Sequence, residues 1–426
     1  MLPVQEQMDS LLKNRDYRLF LVGQGSSALG DVVTQTALPL LVLQLTGSAT
    51  VMGEVGLLQS LPTVLFGLWA GALADVWSRK RMMVTCDAVR TCLAAAIPAA
   101  VLLHFHPLAV IFAVAFPLGV LHNLFEAASL SSVPSLVGAA HVGRANALLQ
   151  ATSSVGLLMG PALAGILSGR IGPGPTLSVD AASFLVSAVT VAAISRELQA
   201  EARPSGSPSA VLLQIHEGLR YLRDNPPLLR AMLFWSVTTF LSAPLIPVVT
   251  YYVVMNLHRR PADFGWVVSA FCVGMVTGAL LTARLTRLSR VPWLYLGAGL
   301  YAMGLVVLVL VQGELWQLAI AVLCGVALSL ASVTYATQRS ALTPDAMLGR
   351  VSSIGRVMTY GLNPLAMLGG GLLADSFGGG RTLMGLGGCI LTASLIFGFA
   401  SRTDSPTRRS ECAGPGATPG AGEGKG

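Results

Sequence analysis

The segment LVGAAHVGRANAL, residues 136–148, aligns without gaps on LTPDAMLGRVSSI, residues 342–354, at an offset of 206 residues that sets Gly143-Arg144 on Gly349-Arg350. The same offset carries Gly165 onto Gly371, Leu167 onto Leu373 and Gly172 onto Gly378. Working outward from this repeat, apolar runs lie near residues 19–45, 51–74, 82–103, 107–130, 146–168 and 175–195, and again near 229–254, 264–284, 291–312, 315–338, 351–374 and 382–400. Each is long enough to cross a bilayer, which takes about 20 residues of helix. The reading is an all-α membrane protein with twelve transmembrane helices in two pseudo-symmetric six-helix bundles, related in parallel.

Composition excludes the other broad classes. Of the 426 residues 53% are hydrophobic and 11% charged, against roughly 25% charged in a soluble domain. The 46 glycines and 23 prolines fit small-residue helix packing in lipid. A single-span receptor is excluded by the number of apolar runs. The net charge of +7 does not point to nucleic acid, because the basic residues stand singly or in threes between apolar runs. The six cysteines show no CxxC spacing, so neither a disulfide framework nor a metal site is expected. Residues 1–18 are polar and the first apolar run is too long for a cleaved leader, so the first span is expected to remain.

The basic residues set the orientation. With a cytoplasmic amino terminus, 21 of the 27 Lys and Arg face the cytoplasm: three in the N-tail, three at 79–81, Arg144, five around the linker, three between 284 and 290, Arg339, Arg350 and four in the C-tail. Only Arg170, Arg259, Arg260 and Arg381 face outward. This bias places both termini in the cytoplasm and the chain in the cell membrane. The expected organisation is a cytoplasmic N-tail (1–18), a first bundle (19–195), a cytoplasmic linker with an amphipathic helix (196–228), a second bundle (229–400) and a disordered Gly, Pro and Ser-rich cytoplasmic tail (401–426).

Between the second and third spans lies GALADVWSRKR, residues 71–81. It strongly resembles the loop signature of the major facilitator superfamily, Gly-x-Leu-Ala-Asp-Arg-x-Gly-Arg-Lys/Arg. Gly71, Leu73, Ala74, Asp75, Arg79 and Lys80 match, whereas Val76 and Ser78 depart. The resemblance implies a gate in which Asp75 meets the positive amino terminus of the eleventh span near Arg350 when the cytoplasmic side closes. GLLMGPALAGIL, residues 156–167, resembles the antiporter signature of drug exporters in the same superfamily through Gly156, Gly160, Pro161 and Gly165, with Ala164 the departure. Glycines four apart admit a neighbouring helix, and Pro161 removes a backbone donor and bends the span. The first span, the stretch from Ser132 to Pro161 and SVDAASFLVSA of the sixth span look like the macrolide and enterobactin exporter branch, which contains proton-coupled efflux pumps.

Ionisable residues inside spans are costly unless they face protein or water. They are Asp31, Glu54, Asp87, Arg90, Glu126, Asp180 and Arg356. Asp87 and Arg90, three apart, read as an intrahelical pair. Glu54 lies near the outer end of its span, Glu126 reads as a cavity wall, and Asp180 as a helix cap. Asp31 lies about a dozen residues from either end of its run and is the leading proton-coupling candidate, with Glu126, Asp180 and Arg90 behind it. The histidines read as uninformative, His122 standing alone in its span. The glycine-lysine pair at the C-terminus lacks the leading glycine of a phosphate-binding loop, so ATP-driven transport is not expected.

The expected function is secondary transport by alternating access, exporting an amphipathic small molecule in exchange for protons. A monomer in the lipid bilayer is expected, without cofactor or nucleic-acid partner. Import or facilitated diffusion of a small metabolite, or a non-transporting scaffold or sensor, are the alternatives. A membrane enzyme is disfavoured, since no nucleophile-base or metal constellation appears.

Overall fold

The computed structural model describes residues 11, 13–196, 198, 208–285, 292–311 and 313–402, with side chains described throughout except at 67–76, 139, 208–215, 283–285, 292, 345–346 and 402. The expected disordered tail therefore lies, beyond Arg402, outside the described residues.

Among the described residues, twelve helices are long and apolar enough to cross a membrane. They are α1 (Arg15–Thr46), α2 (Ala49–Val76), α3 (Arg79–Leu102), α4 (Pro107–Val137), α5 (Val142–Ile171), α6 (Pro173–Ala192), α7 (Pro226–Asn256), α8 (Pro261–Leu285), α9 (Pro292–Leu310), α10 (Glu314–Ala341), α11 (Asp345–Phe377) and α12 (Gly379–Arg402). A further helix, Pro208–Asp224, lies in the linker. Successive spans alternate in direction, so Asn14, the linker and Ser401 share one membrane face, called here the tail face; the opposite one is the loop face.

Local chemistry sets the helix ends. Asn14 caps α1, its Oδ1 accepting from the amides of Asp16 (3.0 Å) and Tyr17 (3.3 Å). At the other end Gly47 takes a left-handed φ of 67° and its N–H returns to the carbonyl of Leu43, a stop that a side chain would strain. Helix α7 is broken after Ser242 at Ala243-Pro244 and finishes in a π-helical turn, Tyr252–Asn256. Helix α11 is broken at Gly361-Leu362, where Pro364 opens the second segment, Asn363–Phe377.

The 206-residue offset carries α5 onto α11 with both ending on matched residues, Ile171 and Phe377, and α6 onto α12 with matched starts, Pro173 and Gly379. It also superposes α4 on α10, and α1 on α7 within a few residues, but α8 and α9 start six to seven residues later than it requires. The internal relation is thus strict for the last three span pairs and slips by several residues over the first three.

The first bundle is stapled on its tail face. Asp16 accepts from the amides of Ser195 (3.0 Å) and Arg196 (3.1 Å) beyond the end of α6. Tyr17 donates to the carbonyl of Ala145 at 2.9 Å. Arg79 and Lys80, two of the motif's basic residues, donate to the carbonyls of Ser131 (2.6 Å) and Ile194 (2.5 Å), near the ends of α4 and α6, where helix dipoles favour cations.

Close approaches between the bundles lie in the loop-face part of the spans. A Cβ on Gly53 of α2 would meet the backbone of Met367 and Leu368 in α11, one on Gly371 would meet the backbone of Ala49 and Thr50, and one on Gly165 of α5 would lie 2.8 Å from the Cα of Gly265 in α8. The molecule is closed at its loop face.

Candidate functional site

A cavity of about 370 Å³ is bounded by α1, α3, α4 and α5 of the first bundle. Its polar lining includes Gln24, Asp31, Arg90, His122, Glu126 and Asn146, running from mid-span to the first turns of α5 on the tail face.

Arg90 is the hub. Its side chain is 3% exposed, and its Nη2 donates to Asp31 Oδ1 at 2.9 Å across from α3 to α1. Its Nη1 donates to Asp87 Oδ1 at 3.3 Å within α3. The expected intrahelical pair is therefore half of the arrangement, since the same guanidinium also holds Asp31. The Arg90 cation lies 3.7 Å from the ring centroid of Phe184 and 5.7 Å from that of Phe125, so aromatic faces replace water on its remaining sides. His122 Nδ1 lies 3.4 Å from Arg90 Nη2, which makes this histidine part of the cluster rather than an isolated residue.

Exposure separates the two carboxylates. Asp87 is fully buried, and its Oδ2 has no hydrogen-bond partner among the described residues. Asp31 is 27% exposed and faces the cavity. Asp31 thus opens on the cavity, whereas Asp87 is linked to it only through Arg90, which lines it.

Asp180 is buried in the first turn of the main segment of α6. Instead of capping its own helix it accepts from Thr34 of α1 at 2.7 Å, three residues along from Asp31, and from Ser183 at 3.3 Å. The approach is allowed by Gly30, where a side chain would collide with Asp180 and Ser183. Glu126 is exposed and lines the same cavity. Glu54 is half-buried in the second turn of α2, and Arg356 is exposed on α11, both away from this lining.

Two carboxylates, Asp31 at the cavity and Asp87 in the interior, thus share one guanidinium, and Asp180 is bonded to Thr34 one helical turn from Asp31. Two carboxylates on one guanidinium leave this cluster with more acid than base. The second bundle has no counterpart: the 206-residue offset puts Val237 opposite Asp31, Ser332 opposite Glu126 and Leu386 opposite Asp180.

The antiporter-like motif divides between two contacts. Gly156 and Gly160 let α5 close on α1 at Leu29 and Val32, on either side of Asp31 in sequence, while Pro161 and Gly165 meet Gly265 of α8 across the bundles. Of the gate-like motif, the Asp75 side chain lies outside the described ones. Arg350, expected beside Asp75, pairs with Glu217 of the linker helix, and Tyr221 of that helix donates to the carbonyl of Leu342 at 2.7 Å. Among the described residues no cluster of His, Cys, Asp or Glu suits a metal ion.

The model of the Major Facilitator Superfamily matches residues 20–362. The multidrug efflux pump Tap of Mycolicibacterium fortuitum is 27% identical over 393 residues, covering 90% of this chain and 95% of its own. Macrolide efflux protein A of Streptococcus pyogenes is 24% identical over 385 residues, covering 88% and 93%. Among solved structures, a bacterial homologue of the iron transporter ferroportin in an inward-facing state superposes with a TM-score of 0.68 at 18% identity, covering 90% of this chain and 98% of that one. The nucleoside transporter NupG gives 0.73 at 12%, covering 92% and 100%. At such identities these likenesses concern the fold.

Proposed function

The chain belongs to the Major Facilitator Superfamily, and from that premise we propose that it exports an amphipathic small molecule from the cytoplasm across the cell membrane in exchange for protons. It is a membrane transporter and not an enzyme. Its tail face is the cytoplasmic one in this reading, which the distribution of basic residues supports. The conformation described is then closed outward, with the cavity of Asp31 and Glu126 on the cytoplasmic route. The protein works as a monomer.

The observation that carries this reading is the Asp31–Arg90–Asp87 cluster at mid-span on the wall of that cavity. A transporter driven by protons needs a titratable group that substrate and proton share or contest, and Asp31 is in contact with both the cavity and the buried charge. The names of the relatives, a multidrug pump and a macrolide efflux protein, support export of bulky, partly apolar compounds. One charge moving through 100 mV supplies roughly 2.3 kcal/mol, a concentration ratio of about fifty for one proton per neutral substrate.

The test is efflux of a panel of dyes and antibiotics from cells with and without the chain, each with and without a protonophore. Lower accumulation that the protonophore abolishes supports the proposal. Higher accumulation in cells carrying the chain would indicate import instead.

A further inference from the structure

The outer ends of α2 and α11 are tied by one side chain. Asp375, in the last turn of α11, accepts through Oδ1 from the amide of Ala49 (2.7 Å) and through Oδ2 from the amide of Thr50 (2.8 Å) and the hydroxyl of Ser48 (2.5 Å). Ser48 in turn accepts from the amide of Val51 at 3.3 Å. These are the first amides of α2, which have no partners within their own helix, and the carboxylate meets the positive end of the helix dipole. A residue of the second bundle thus caps a helix of the first. Around it the helices touch backbone to backbone at Gly53, Gly371 and Ala49, so the bonds form only when the bundles meet at this face.

The sequence around Asp375 is informative. Gly371-Leu372-Leu373-Ala374-Asp375 repeats the Gly-x-Leu-Ala-Asp of Gly71-Ala72-Leu73-Ala74-Asp75 at an offset of 300 residues. That is not the offset relating the two halves, under which α11 corresponds to α5. The pentapeptide instead closes both α2, at its cytoplasmic end, and α11, at its outer end. These two helices lie side by side, and each one's amino terminus is on the face where the other ends.

We infer that Asp375 is an outer gate residue, the counterpart of Asp75, which latches the transporter shut toward the outside by capping α2. Opening outward must break all three bonds and return Ser48, Ala49 and Thr50 to water. A single helix pair then has an acidic latch at each membrane face. The inference rests on the alternating-access reading but not on proton coupling or on the substrate.

The experiment uses spin labels on the full-length protein in a background free of native cysteines. One pair, at Leu103 and Leu315, spans the outer mouth, and a second, at Arg81 and Leu342, spans the cytoplasmic mouth. Asp375→Asn, which keeps one acceptor oxygen but loses the second and the charge that meets the helix dipole, is expected to raise the outward-open to outward-closed ratio about threefold, lengthening the outer distances and shortening the cytoplasmic ones. Ser48→Ala, which keeps the carboxylate, should shift the ratio the same way by less, and carries the test by itself if Asp375→Asn does not accumulate. Distance distributions that superpose on the wild type at both mouths for either variant would overturn the inference. Loss of protonophore sensitivity with the shifts intact would count only against the coupling proposal.

Discussion

Arg90 and Asp31 stand 59 positions apart in sequence and 2.9 Å apart in space, the guanidinium of α3 reaching the carboxylate at the middle of α1. The contact joins the interior of the first bundle to its water-lined wall. Because Arg90 also holds Asp87, a change in charge at Asp31 alters the balance of forces on a residue that no water touches.

Asp31→Asn keeps the volume and one acceptor but removes the titratable group. Uphill, protonophore-sensitive efflux is expected to vanish, while downhill exchange of substrate continues. Measuring both in proteoliposomes decides the matter; full uphill efflux by this variant would move coupling to another carboxylate.

Arg90→Lys should fail almost as badly as Arg90→Ala in transport, although the charge is kept. An ammonium is a point donor and cannot span Asp31 and Asp87 while lying flat on Phe184. Transport should fall about tenfold or more for Lys. For Ala the stability cost is about 3–5 kcal/mol, because the buried Asp87 loses its partner, readable as a lower melting temperature in detergent. Arg90→Lys transporting at the wild-type rate would reduce the hub to a simple countercharge.

Gly165→Val places side-chain atoms against the backbone of Gly265, which cannot yield as a side chain can. Closure of the outer face should become unfavourable by about 1–3 kcal/mol, the usual scale of overpacking. The control is Gly369→Ala, at a position of α11 where an added Cβ meets nothing. Equal transport rates for the two variants would show that the α5–α8 contact does not take part in closure.

Cysteines at Ser207 and Ser405 should react only with permeant reagents in intact cells, while one at Pro261 reacts with impermeant ones. Labelling of the Ser207 position from outside would invert the orientation and with it the direction of every step above.

The twelve spans were legible because lipid imposes a length and an apolar composition on each, and Asp31 stood out because nothing near it in sequence excuses a charge. The pairing of Asp31 with Arg90 was not legible, since a contact between helices leaves no mark in residue spacing, and for the same reason His122 read as isolated. Asp180 was misread as a cap because an acid in a first turn usually is one, and only the absence of a side chain at Gly30 lets it turn to α1 instead. Asp375 escaped notice in a place, the end of a span, where charges are ordinary. The breaks in α7 and α11 were hidden by apolar residues that continue through them.

The uncharged counterparts of Asp31, Glu126 and Asp180 in the second bundle have a consequence for how such a chain can change over time. Under the proposed proton coupling, the charges that carry it sit in one lobe, and the other is free to vary its surface without disturbing them. Substitutions at Val237, Ser332 or Leu386 alter shape and polarity in a lobe that has no charge at these positions. On that proposal, a duplicated architecture that has become unequal in this way can acquire new cargo through one lobe while the other keeps its buried charges.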